Sequence, residues 1–183
     1  MVLGKGVVGK SALICRFINL EPPQDPVPTT EERYTQNFNI DGKQYEIDIL
    51  DTGEEEYQAL MDMWISFGEG FLLVFAINDR ESFELVKGKY HSIIKGKHGV
   101  KCPILLVGNK QDLENERKIS FDEAKKLADE WGIEYMETSA KTNFNCKKTF
   151  EKLVKQIITF KQANSRPIAK YCICGWYCNC NIM

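Results

Sequence analysis

Two uninterrupted apolar runs, residues 71–77 and 104–107, constrain this chain more than any other feature. A strand without polar alternation has to be covered on both faces, which is the condition of a central strand in a parallel sheet flanked by helices. The stretch between them agrees, since residues 80–97 put Phe83, Val86, Tyr90 and Ile93-Ile94 on one helical face. Further on, Ser120 before Phe121-Asp122-Glu123 predicts a capped helix that Gly132 ends. Residues 133–136 read as a short last strand, and residues 145–160 as a last helix burying Phe150, Leu153, Val154 and Ile157. Upstream, Asp41-Gly42 joins 33–40 to 44–51 as a two-residue hairpin, with Tyr45, Ile47 and Ile49 on one face of its second arm. Strands and helices alternate, so the fold class is α/β.

A chain of 183 residues suits one domain. Its net charge of -2 leaves no basic excess to neutralise phosphates, so no nucleic-acid partner is expected. The longest apolar run is far too short for a bilayer span, and a turn-forming Gly-Lys-Gly so close to Met1 speaks against a secretory leader. Helical periodicity stops at Lys161, so residues 1–160 read as the domain and 161–183 as a tail.

Four short segments carry chemistry. In Gly4-Lys5-Gly6-Val7-Val8-Gly9-Lys10-Ser11, glycines let consecutive backbone N–H groups turn inward on phosphate oxygens, and a helix N-terminus adds its dipole. Lys10 would bridge the outer phosphates and the Ser11 hydroxyl would ligate Mg²⁺. Asn109-Lys110-Gln111-Asp112 follows an apolar strand, which puts it at the carboxyl end where such sheets bind ligands. There Asp112 can accept both N1–H and the exocyclic amine of guanine, a donor pair adenine lacks, and the Lys110 stem can lie across the purine. Ser139-Ala140-Lys141, also just past a strand, offers a backbone N–H to guanine O6. Asp51-Thr52-Gly53 ends a strand, with a carboxylate to hold a water on Mg²⁺ and a glycine N–H to meet a third phosphate. Taken singly, each of these has a plain reading as a turn or polar loop.

Together they resemble the Ras family of small GTPases over residues 2 to about 160, with Gly68-Glu69-Gly70-Phe71, Phe75-Ala76-Ile77-Asn78 and Glu137-Thr138-Ser139-Ala140-Lys141 extending the likeness. No room exists between Asp112 and Ser120 for the extra helix of the Rho branch, so the chain looks closer to Ras and Rap. The resemblance implies a P-loop GTPase domain, a mixed and mostly parallel six-stranded sheet with helices on both faces. It also implies GTP/GDP and Mg²⁺ as ligands, and effectors, an exchange factor and an activating protein as partners. Thr29, in Pro28-Thr29, matches the residue that reaches both metal and γ-phosphate. Thr30, Glu31, Glu32 and Tyr34 match the effector-contacting stretch, where the alternative for the two acids is a solvated strand edge.

Four departures change what is expected. Only Val2 and Leu3 precede Gly4 where the family has a full central strand, so the sequence reads as a fragment or as a weakened domain. The family's Asp-Thr-Ala-Gly-Gln is Asp51-Thr52-Gly53-Glu54 here, one residue shorter. Glu54 then stands where a glutamine positions the attacking water. A carboxylate accepts from water but cannot donate to the γ-phosphate, so slow hydrolysis is expected, with Glu54 and Lys10 as the catalytic candidates. Pro22 replaces the aromatic that stacks on guanine, in a proline-rich loop. Val7 stands where Ras has a glycine.

The tail holds Cys172, Cys174, Cys178 and Cys180. Cys180-Asn181-Ile182-Met183 fits C-a-a-X prenylation, terminal Met favouring farnesyl, and one lipid needs a second signal that palmitoyl groups on Cys178, Cys174 or Cys172 would supply. A small metal knuckle is the rival reading, although C-x-C-x₃-C-x-C departs from zinc spacing. Lipidation would place the protein on the cytoplasmic face of the plasma membrane. Two other readings stay open: a non-hydrolysing, GTP-holding or nucleotide-free recruitment module, and a P-loop kinase, which leaves the guanine motif without a role.

Overall fold

The computed structural model describes residues 1–22, 31–40, 42–53 and 58–164. The elements run β1 (Val2–Leu3), α1 (Lys10–Phe17), β2 (Glu31–Ile40), β3 (Lys43–Thr52), α2 (Gln58–Phe67), β4 (Phe71–Ala76), α3 (Arg80–Gly96), β5 (Ile104–Asn109), α4 (Phe121–Trp131), β6 (Glu134–Glu137) and α5 (Cys146–Asn164), with a 3₁₀ turn at Gln111–Glu116. They build one six-stranded sheet in the order β2-β3-β1-β4-β5-β6. Only the β2–β3 pair is antiparallel, in the register Ile40 opposite Lys43 that a two-residue hairpin demands. The mixed, mostly parallel six-stranded sheet expected from the sequence is the one observed.

Strand β4 shows why its run carries no polar residue. Phe71, Leu73 and Phe75 point into a core shared with α2, α3 and α4, while Leu72, Val74 and Ala76 point into one shared with α1 and α5. Each large apolar side chain sealed this way contributes about 1.5–3 kcal/mol. Local signals close the helices. Asp79 caps α3 by accepting from Glu81 and Ser82 N–H, Ser120 accepts from Glu123 N–H at 3.1 Å, and Gly132 ends α4 with φ 66°. The expected boundary at 160 falls inside α5, which continues to Asn164. Its last turn is exposed, so nothing apolar marks it in the sequence. No helix among the described residues is long and apolar enough to cross a membrane.

The leading strand forms. Val2 and Leu3 are fully buried and pair in parallel with β3 on one side and β4 on the other, so two residues join the halves of the sheet. Thr52 reinforces the junction by donating its hydroxyl to Val2 O at 2.8 Å.

Candidate nucleotide site

The loop between β1 and α1 is shaped by two glycines that admit nothing larger. A Cβ on Gly4 would lie 2.1 Å from Val74 O, and one on Gly9, at φ 93°, would lie 2.5 Å from the Asn109 amide. Between them Val7 takes φ 62° and is 82% exposed. A β-branched residue in the left-handed region is strained by about 1–3 kcal/mol. Gly9 is the N-cap of α1 and supplies no side-chain cap, nor does an acid occupy the first turn. Backbone donors therefore face the loop with a positive helix end behind them, which suits an anion.

Two lysines frame that loop. Lys10, nearly buried, donates from Nζ to the carbonyls of Gly4 at 3.1 Å and Lys5 at 3.0 Å, spanning the loop from inside. Lys5 turns the other way and reaches Glu81 at 2.5 Å and Asp79 at 3.3 Å, fastening the loop to the start of α3. The sequence suggests a nucleotide contact for Lys5, and in the structure its side-chain amine pairs with Asp79 and Glu81.

At the end of β3, Asp51 is wholly buried, and neither carboxylate oxygen has a satisfying hydrogen bond. Burial raises its pKa, against the opposing pull of the adjacent Ser11 hydroxyl and the Lys10 charge. An orphaned buried carboxylate beside a serine and a lysine is a poor structural element. It is the right donor set for a hydrated divalent cation. The residues present therefore fit Mg²⁺.

The guanine motif is locked to this loop. Asn109, buried at the end of β5, donates its side-chain N–H to Val8 O at 2.8 Å and accepts from Thr138 Oγ1 at 3.1 Å and Ala140 N–H at 3.3 Å. One amide thus braces two loops, that of Val8 and that of Thr138 and Ala140. Lys110 follows at φ 65°, and Asp112 sits in the 3₁₀ turn, its Oδ1 accepting from the Ser139 hydroxyl at 2.5 Å. Ser139 Oγ in turn accepts from Thr142 N–H at 3.1 Å. Lys141 is exposed on the same loop.

Two arginines that the motifs do not reveal hold these pieces. Arg117 donates to Glu137 at 2.8 and 2.9 Å and to Glu114 at 2.7 and 2.6 Å, clamping the Asp112 turn to the end of β6. Arg16 Nε donates to Ala140 O at 2.9 Å, tying α1 to the Ser139-Ala140-Lys141 loop. Glu137 lies 20 residues from Arg117, and Ala140 lies 124 from Arg16.

On β2, Glu31 and Glu32 are exposed, Arg33 reaches Glu31, and the Tyr34 hydroxyl donates to Glu32. Burial and then Glu32 raise the Tyr34 pKa. Thr29, Thr30, Glu54 and the tail cysteines Cys172, Cys174, Cys178 and Cys180 lie outside the described residues.

Comparison with known proteins gives the same answer as the geometry. A sequence model of the Ras family matches residues 1–159. The chain is 44% identical over 168 residues to Ras-related protein ralB-A of Xenopus laevis, covering 91% of this chain and 82% of that one. Over the same shares it is 43% identical to Ras-related protein Ral-B of Mus musculus and 42% to Ras-related protein O-RAL of Diplobatis ommata.

Proposed function

Because this chain belongs to the Ras family of small GTP hydrolases, we propose that it is a GTP/GDP- and Mg²⁺-binding signalling switch with slow intrinsic hydrolysis. One observation carries the reading. Asn109 ties the glycine cradle to the loop bearing Asp112, so an anion seat and a purine-selecting carboxylate are held at a fixed separation. The backbone N–H groups of residues 4–9 and Lys10 take the phosphates. Asp112 accepts from the two donors of guanine, and Lys110, Ser139, Ala140 and Lys141 enclose the base.

Ser11, Asp51 through a water, and Thr29 would hold Mg²⁺, which neutralises phosphate charge when bound. Gly53 N–H would meet the third phosphate. Glu54 orients the attacking water as an acceptor but offers no proton to the γ-phosphate, and its charge opposes the anionic transition state. Thr30, Glu31, Glu32 and Tyr34 would make up the effector-contacting stretch. An exchange factor and an activating protein serve the cycle, and lipid on Cys180, with acyl groups on the upstream cysteines, tethers it to the cytoplasmic face of the plasma membrane.

The second reading, a GTP-holding recruitment module without useful turnover, is favoured by Val7, which is exposed on the phosphate loop where the family has no side chain.

Titration with GDP, GTP and ADP in magnesium buffer, paired with single-turnover hydrolysis, tests both. Tight guanine binding with slow cleavage that Glu54→Gln accelerates by about 10-fold or more supports the slow switch. Guanine binding with no cleavage in either form supports the module. Equal affinity for ADP sinks both.

A further inference from the structure

The Lys5 side chain leaves the phosphate loop for partners 74 and 76 residues away, donating to Asp79 Oδ2 at 3.3 Å and to Glu81 Oε2 at 2.5 Å. It is only 22% exposed, and the Glu81 bond holds its pKa above the ordinary lysine value against the opposing effect of burial. A surface ion pair by itself contributes little, because two long side chains must be ordered to make it. Two features set this one apart.

The first is the anchor. The other oxygen of Asp79 caps α3, accepting from Glu81 N–H at 3.1 Å and Ser82 N–H at 3.3 Å. Ser82 is fully buried, and its hydroxyl accepts from Ala76 N–H at 3.0 Å, at the end of β4. The carboxylate that receives Lys5 is therefore fixed to the sheet. The second feature is what Lys5 carries. Its own carbonyl accepts from Lys10 Nζ at 3.0 Å, beside the Gly4 carbonyl at 3.1 Å. These two carbonyls aim the Lys10 ammonium, so a shift of residue 5 re-aims the charge meant for the phosphates.

We infer, resting on the nucleotide reading above, that Lys5 is a positioning residue. Its side chain latches the phosphate loop to the start of α3 and so sets the aim of Lys10, without itself touching the nucleotide. The sign of one effect separates this role from simple charge. Asp79 and Glu81 put two negative charges beside an anion seat, so on charge alone their removal tightens phosphate binding. Where the latch governs, their removal loosens it.

GDP release from the full chain in magnesium buffer, alongside amide hydrogen exchange of residues 6–9 without nucleotide, tests the latch. Asp79→Ser with Glu81→Ala removes both acids and leaves a capping residue at position 79. This double variant and Lys5→Met should each release GDP about fivefold faster than the parent, and combining all three changes should add nothing further. Lys5→Arg, which still donates to both carboxylates, should restore the parental rate. The loop amides should exchange faster in both unlatched forms. Urea midpoints should move little, since the Glu81 end of the pair is exposed. Slower GDP release after loss of the two acids overturns the inference, because charge then outweighs the latch. Unchanged loop exchange in Lys5→Met overturns it as well, and so do midpoints that fall in step with the faster release. A parent that retains no guanine nucleotide refutes the nucleotide reading instead, and the exchange rates then decide the latch alone.

Discussion

The side-chain amide of Asn109 lies 2.8 Å from the carbonyl of Val8, joining two loops that are 101 residues apart in sequence. Asn109→Ala removes this donor and strands the Thr138 hydroxyl and Ala140 N–H that its oxygen serves. An orphaned buried polar group costs about 1–3 kcal/mol, so a loss of roughly 3 kcal/mol is expected in urea denaturation. GDP release should quicken in parallel. A variant that loses stability yet releases GDP at the parental rate would show that the brace does not govern the site.

Asp51 makes stability depend on pH and magnesium in linked ways. Burial raises its folded pKa above the unfolded value. That contribution is complete below the unfolded pKa and is lost as pH rises through the folded one. In EDTA the protein should therefore be more stable toward acid with respect to this group, and Asp51→Asn should flatten the profile and add about 1 kcal/mol near neutrality. In millimolar Mg²⁺ the order reverses, because only the carboxylate attracts the cation. Urea midpoints across pH, with and without Mg²⁺, check both signs.

Val7→Gly should relieve the strain of its left-handed backbone. The gain is about 1 kcal/mol after the added freedom of the unfolded chain is counted. Equilibrium unfolding measures it, and a destabilised variant would mean that the exposed side chain has a partner in solution.

Arg117→Ala leaves Glu137, a largely shielded carboxylate, facing only the Tyr135 hydroxyl. A loss of roughly 2–3 kcal/mol is expected, below the 3–5 of a fully buried pair. Guanine affinity should fall further than phosphate affinity, since the Asp112 turn loosens while the glycine loop stays intact. Comparing GDP with inorganic pyrophosphate as ligands separates the two.

Much of this architecture can be read from the chain directly. Phe71 to Ala76 and Ile104 to Asn109 have no polar alternation because both faces are covered, and the Ser120 and Gly132 caps mark α4 within a residue. The phosphate and guanine motifs were legible because each demands unusual residues at fixed spacing. Helix α2 was not, since Leu60, Met61, Met63, Trp64, Ile65 and Phe67 surround it and leave no clean period. The partners of Lys5, Arg16 and Arg117 were hidden for a different reason. An ion pair or hydrogen bond across the fold leaves no local trace, and both arginines read as ordinary surface charge. The bracing part of Asn109 was equally invisible, although the residue itself stood out.

Among the described residues, β1 is the strand that joins the β2–β3 ribbon to the rest of the sheet, Val2 meeting Asp51. Within the sheet the ribbon is thus held like a springboard at its nucleotide end, with Phe38 resting on Phe17 partway toward Gly42. Amide hydrogens near that tip should exchange through small deflections well before those of β4 or β5. Whatever grips the far end would stiffen the whole arm, Glu31 and Glu32 included.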